Sequence, residues 1–180
     1  MIGLSGNPGS GKDTAASYIK KKYGAEEFRF SYMLFNVLKI LGIPVSRENL
    51  DWLVNTFKRK FGNDSLTRAI NKTIDERSRK KIVVINGIRL PSDYELVRSF
   101  KKNALIYLKV NEKVRWQRVR QRNEKADDNV SFAKFKKMHL AENEKYVCEI
   151  GKKADYVVDN NGTFVDFRRK IDEVMKKIKN

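Results

Sequence analysis

The chain has 180 residues, 41% hydrophobic and 34% charged, which excludes a disordered or fibrous chain and suits one domain with its own core. Lys and Arg number 39 against 22 Asp and Glu, giving a net charge of +17 that is spread along the sequence and favours anionic partners: nucleotides, coenzymes or nucleic acid. One cysteine and one histidine exclude an intrachain disulfide and leave little for structural zinc, and no run approaches the length of a membrane span.

The first apolar run, Ile2 to Ser5, reads as a strand and passes directly into Gly6-Asn7-Pro8-Gly9-Ser10-Gly11. That start leaves no room for a signal peptide, so the expectation is a soluble, cytoplasmic protein. Ala15, Ala16, Ile19 and Tyr23 recur at helical spacing and predict a helix over 14–23. Phe28-Arg29-Phe30 reads as a second strand with both rings on one face. Residues 32–80 read as mostly helical, with three stripes: Leu34, Leu38 and Leu41; Leu50, Leu53, Val54 and Phe57; Leu66, Ile70 and Ile74. Pro44 interrupts, and Ser46 suits a helix cap.

Ile82-Val83-Val84-Ile85 is a continuous β-branched run, the pattern of a strand buried on both faces of a parallel sheet. Ser92 with Glu95 forms a capping-box pattern that opens a helix to about Phe100. Ala104 to Val110 reads as a strand. Val114–Arg122 and Phe132–Ile150 read as helices, separated by the polar stretch 123–129, the best candidate for a mobile element. Tyr156–Val158 is a last strand. Thr163 with Asp166 suits a cap, and Phe164, Phe167, Ile171, Val174 and Ile178 then mark an amphipathic helix. Strands alternating with helices predict a parallel α/β sheet.

Gly6-x-x-x-x-Gly11-Lys12, placed between a strand and a helix, carries the strongest chemistry. Glycines at these positions let successive backbone N–H groups converge on phosphate oxygens; the helix adds its positive end, and Lys12 reaches the outer phosphates from what reads as an exposed loop. The residue after the lysine is usually Ser or Thr, whose hydroxyl ligates magnesium; here it is Asp13, with Thr14 following. Asp13 has two readings, a magnesium contact through water or an acid at a helix start. The run Ile82–Ile85 ends in Asn86-Gly87-Ile88-Arg89, with Asn86 where an acid is usual. Arg89 stands past the strand end, where α/β sheets bind ligands, and its guanidinium suits a substrate phosphate. Arg115, Arg118 and Arg122 share one helical face, with Arg120 off it. Such a face is either a solvated basic surface or a source of positive charge for a transferring phosphoryl group. His139 and Cys148 are isolated, and Tyr18, Trp52, Phe57 and Trp116 read as core or cleft wall.

Gly11-Lys12-Asp13-Thr14 and Val83 to Arg89 resemble the corresponding segments of nucleoside and deoxynucleoside monophosphate kinases. Ala154 to Thr163, with the stretch from Leu108 to Ile150, resembles dephospho-coenzyme A kinases. The resemblance implies a three-layer P-loop NTPase fold: a five-stranded parallel sheet with helices on both faces and a small helical lid, in a single domain over residues 1–180. Region 32–80 would cover the acceptor and about 115–130 would be the lid. It implies ATP and Mg2+ as cofactors, phosphate contacts from Gly6, Asn7, Pro8, Gly9, Ser10, Gly11, Lys12, Asp13, Thr14 and Arg115, and catalytic roles for Lys12, Arg89, Arg118 and Arg122. Asn160 and Gly162 would lie beside the nucleotide base; their residues alone suit a plain turn.

The implied activity is ATP-dependent phosphoryl transfer to a small nucleotide. Dephospho-coenzyme A kinases carry acids just after the second strand, one acting as base toward a sugar hydroxyl. Here Phe30-Ser31-Tyr32 holds none, which favours a nucleoside monophosphate, whose phosphate needs no strong base. A P-loop ATPase or nucleic-acid-end kinase is the alternative of another class, disfavoured by the absence of a recognition helix, an RNA motif or a zinc module.

Overall fold

The computed structural model describes residues 1–78, 80–122, 128–138 and 142–179. Five strands are β1 (Ile2–Ser5), β2 (Glu26–Arg29), β3 (Val83–Ile88), β4 (Ala104–Lys109) and β5 (Tyr156–Asp159). They form one parallel sheet in the order β2-β3-β1-β4-β5, with β1 at the centre and the glycine-rich segment leaving its C-terminal end. The expected three-layer fold is therefore present.

The run 82–85 supplies both faces of the sheet as its composition requires. Val84 joins Ile2, Leu4, Ala15, Ala16, Ile19, Ile106 and Leu108 on the side covered by α1 (Lys12–Tyr23) and α9 (Phe164–Lys179). Val83, Ile85 and Ile88 face the other side, with Val97 of α5 (Pro91–Ser99), Ile70 and Ile74 of α4 (Ser65–Arg77), and Ile150 of α8 (Glu142–Lys152). Gly3 is required at the centre: an added Cβ would stand 2.9 Å from Val97 and 3.0 Å from Leu105. A separate cluster of Leu34, Leu38, Leu50 and Leu53 joins α2 (Phe30–Ile40) to α3 (Arg47–Phe61), so the first two leucine stripes pack on each other.

Several boundaries differ from the sequence reading. α1 starts at Lys12, two residues early. β2 starts at Glu26 and ends at Arg29, and Phe30 already opens α2; Phe28 and Phe30 still share the cluster beneath the sheet. Leu41 and Trp52 are exposed, so neither is core. α5 opens at Pro91, and its capping acid is Asp93, not Glu95: the Asp93 carboxylate accepts Arg89 N–H at 3.0 Å and Leu90 N–H at 2.9 Å. The span 132–150 holds α7 (Phe132–Met138) and α8, and His139 lies outside the described residues. The caps at Ser46 and Thr163 form as expected, accepting Asn49 N–H at 3.1 Å and Asp166 N–H at 3.2 Å.

α1 is locked to α9 through Asp172. Its carboxylate accepts the hydroxyls of Tyr18 (2.9 Å) and Tyr23 (2.7 Å) and pairs with Lys22 at 2.6 Å. Burial and the bond to Asp172 push the Tyr23 phenol up to about 12. A folded-state pKa above the unfolded value of 10.0 stabilises the fold fully below pH 10, and that contribution is lost as pH rises through 12. Phenolate absorbance should thus show one tyrosine ionising late. Asp172→Ala should bring it back toward the ordinary range and lower the melting temperature at neutral pH; an unchanged titration would break the assigned lock.

Candidate active site

The segment between β1 and α1 curls through three left-handed glycines, Gly6 (φ 144°), Gly9 (φ 79°) and Gly11 (φ 94°). All three are fixed by what lies against them, and a Cβ on Gly6 would stand 2.7 Å from the Leu108 carbonyl oxygen. A Cβ on Gly9 would stand 2.5 Å from the Arg115 carbonyl oxygen of α6 (Glu112–Arg122); one on Gly11 would stand 2.5 Å from the Asn160 side-chain nitrogen. All three neighbours are close enough that only glycine fits. The turn closes with Ser10 N–H on the Asn7 carbonyl at 3.0 Å. Asn160, just past β5, donates its amide to the Ser10 carbonyl at 2.9 Å.

Lys12 departs from the expected exposed position. It is the first residue of α1, only 9% exposed, and its ammonium donates to the Gly6 and Asn7 carbonyls. The lysine is folded into the loop, with its stem buried against the helix start.

Three of the four arginines of α6, Arg115, Arg118 and Arg122, turn toward this loop. Arg115 is buried, with its Nη1 3.5 Å from the Pro8 carbonyl and its guanidinium over the Phe135 ring. Arg118 donates to the Asn160 carbonyl at 3.0 Å, while its Nη1 is buried without a described partner. Burial pushes the Arg118 pKa down, the mark of a charge short of compensation. Arg122 pairs with the fully buried Asp128 at 3.3 Å and reaches Asp13 at 3.8 Å. Arg120 points away, over the Trp116 ring. Residues 123–127, part of the expected lid, lie outside the described residues.

Asp13 is the hub of the site. Its Oδ1 accepts the Asn86 amide at 2.9 Å; its Oδ2 is 3.4 Å from Arg29 and 3.8 Å from Arg122. The same Asn86 nitrogen donates to Glu27 at 2.8 Å, so one buried amide bridges two carboxylates. Glu27 and Arg29 escaped the sequence reading. The available signal was alternation: both lie on the strand side opposite buried Phe28. Residues 30–32 indeed hold no acid, but an acid does stand at this end of the sheet, supplied by Glu27 from within β2.

Arg89 is half-buried just past β3. Its backbone is held by Asp93, whose other oxygen accepts the Thr67 hydroxyl at 2.9 Å. Burial pushes the Asp93 carboxyl up, against the hydrogen bonds it accepts. The structure therefore gathers Lys12, Asp13, Arg115, Arg118, Arg122 and Asn160 around residues 6–11 and sets Arg89 at the neighbouring strand end. Thr14 is exposed on the first turn of α1. Gly162 is exposed too, and an added Cβ would meet only Asp166 of α9.

These residues fit a nucleotide phosphate. Ser10 Oγ and Arg118 Nη1 are buried donors without described partners, arranged about a glycine loop at a helix N-terminus. Asp13, Glu27 and Thr14 offer only oxygen, the donor chemistry of a hard cation such as magnesium.

A family model described as an AAA domain matches residues 5–134. A UPF0200 protein of Pyrococcus horikoshii is 32% identical over 182 residues, spanning 99% of this chain and 97% of that one. A UPF0200 protein of Methanocaldococcus jannaschii is 28% identical over 181 residues, spanning 100% and 91%. A shikimate kinase from Bacteroides thetaiotaomicron superposes with a TM-score of 0.68 at 12% identity, over 99% of this chain and 98% of that one. A gluconokinase from Sinorhizobium meliloti gives 0.58 at 18% identity, over 98% and 91%. These likenesses establish a P-loop kinase-like fold.

Asn86→Asp should destabilise the fold. It removes the donor shared by Asp13 and Glu27 and adds a third carboxylate at a position 1% exposed, a cost of about 3 kcal/mol. Like-charge crowding raises carboxyl pKa values, so protonation relieves the variant as pH falls. Urea unfolding at pH 7 and pH 5 should show the deficit shrinking at the lower pH; a deficit equal at both would contradict the bridged-acid geometry.

Proposed function

The chain belongs to the UPF0200 family and matches an AAA domain over residues 5–134, and from that premise we propose that it transfers the γ-phosphoryl group of ATP to a small nucleotide, a nucleoside or deoxynucleoside monophosphate. The observation that carries the reading is the convergence of Lys12, Arg115, Arg118 and Arg122 on a loop of left-handed glycines. Phosphoryl transfer is mostly positioning and charge compensation around the equatorial oxygens, and this is a set of donors for that task.

In this reading the loop N–H groups hold the β- and γ-phosphates. Lys12 exchanges its loop carbonyls for phosphate oxygen. Arg118 and Arg122, on a lid over about 115–130, compensate charge as the acceptor oxygen bonds to phosphorus and the β–γ bridging oxygen leaves with ADP. Magnesium, when bound, neutralises the phosphate oxygens, and Asp13 would hold it through water, with Thr14 toward the phosphates. A groove of about 410 Å3 beside the loop, lined in part by Thr14, Tyr18, Phe164 and Arg168, supports base contact there. Residues 1–180 form the single catalytic unit, with 32–80 covering the acceptor and Arg89 on its phosphate.

Glu27 favours a second reading. A carboxylate at the sheet end can serve as base toward a hydroxyl acceptor, such as dephospho-coenzyme A or a polyol acid of the kind named for the shikimate kinase and gluconokinase neighbours.

A coupled ADP-release assay over all monophosphates, dephospho-coenzyme A, shikimate and gluconate decides between them. Turnover with a monophosphate is expected; turnover confined to hydroxyl acceptors selects the second reading. Lys12→Met, which keeps the buried stem, should lower turnover about 10²–10³-fold with the fold intact. Near-normal turnover would reject the P-loop role.

A further inference from the structure

Arg29 belongs to neither the phosphate loop nor the lid, yet its guanidinium lies beside Asp13. It is the last residue of β2, the edge strand, at the C-terminal end of the sheet where open α/β sheets take ligands. Its side chain is 16% exposed and lies over the Tyr32 and Phe35 rings of α2, with its central carbon 5.1 and 5.8 Å from their centroids. Cation–π contact of this kind helps hold the guanidinium in place.

The Asp13 Oδ2 that Arg29 approaches at 3.4 Å is the oxygen that Arg122 approaches at 3.8 Å from α6. One carboxylate oxygen thus sits between an arginine from the lid side and an arginine from the side of α2 to α4. Both separations exceed the 2.7–2.9 Å of a tight charge-assisted bond, so a phosphate can make shorter contacts than Asp13 makes.

We propose that Arg29 is a specificity-determining residue for the acceptor, binding its phosphate across Asp13 from the lid arginines. The inference rests on the phosphoryl-transfer reading and deepens it: the acceptor carries its own phosphate, held in a second anion site lined by Arg29. In the absence of phosphate, the Asp13 carboxylate compensates both guanidiniums.

The test separates the second anion site from turnover. Protein saturated with ADP, which fills the β-phosphate part of the loop, is titrated with inorganic phosphate at constant ionic strength by calorimetry. The wild type should bind one phosphate. Arg29→Gln should weaken that binding about 10- to 100-fold, while ADP affinity stays within about twofold. Arg29→Lys should recover only part of it, because a point charge lacks the fork. For any monophosphate that turns over, Arg29→Gln should raise KM far more than it lowers kcat. Three results would overturn the proposal: no phosphate binding by the ADP-loaded wild type, wild-type binding in Arg29→Gln, or an equal loss of ADP affinity. A panel without monophosphate turnover would reject the transfer reading alone, with the phosphate titration still deciding for or against the Arg29 site.

Discussion

Two parts of the chain that are remote in sequence touch the backbone of one short loop, and they leave it no room. The Arg115 carbonyl lies where a Cβ on Gly9 would go, and the Asn160 amide lies where one on Gly11 would go. Lys12 fills the inside of the turn. The glycines are thus set twice over, by positive φ and by contact. The same contacts place α6 and the end of β5 at the rim of the loop, which explains why the arginines of α6 reach it. A parallel sheet with β1 at its centre is what brings β3, β4 and β5 to that rim.

Positive charge is concentrated here. Arg118 is partly buried with an unpaired nitrogen, and Asp13 is shared between two guanidiniums at long range. Partly exposed ion pairs at such distances contribute little. A phosphate with more than one negative charge competes well against a single carboxylate for the same donors. The net charge of +17 works over a longer range, drawing anions toward the site without selecting among them.

Much of this was legible in the sequence because its signals are local. The loop shows as glycine spacing between a strand and a helix, and the two-faced strand β3 as the β-branched run at 82–85. The face shared by Arg115, Arg118 and Arg122 follows from helical period alone. What escaped depends on contacts between distant segments. Ser92 and Glu95 match a capping box, but Asp93 is drawn into that role by Thr67, 26 residues away. The strand read from Phe28 omits Glu26 and Glu27, because the bridging Asn86 that accommodates Glu27 comes from β3. Asn160 reads as a turn residue; only the fold reveals that its amide holds Ser10.

The central claim is that residues 6–11, backed by α6 and Asn160, form a phosphate cradle. Amide hydrogen exchange with and without ATP and magnesium tests it at the backbone itself. The account predicts new protection at the amides of residues 6 and 7 and 9–12, extending to α6 around Arg118. Unchanged exchange in this loop at saturating ATP, or protection confined to another part of the fold, would contradict it.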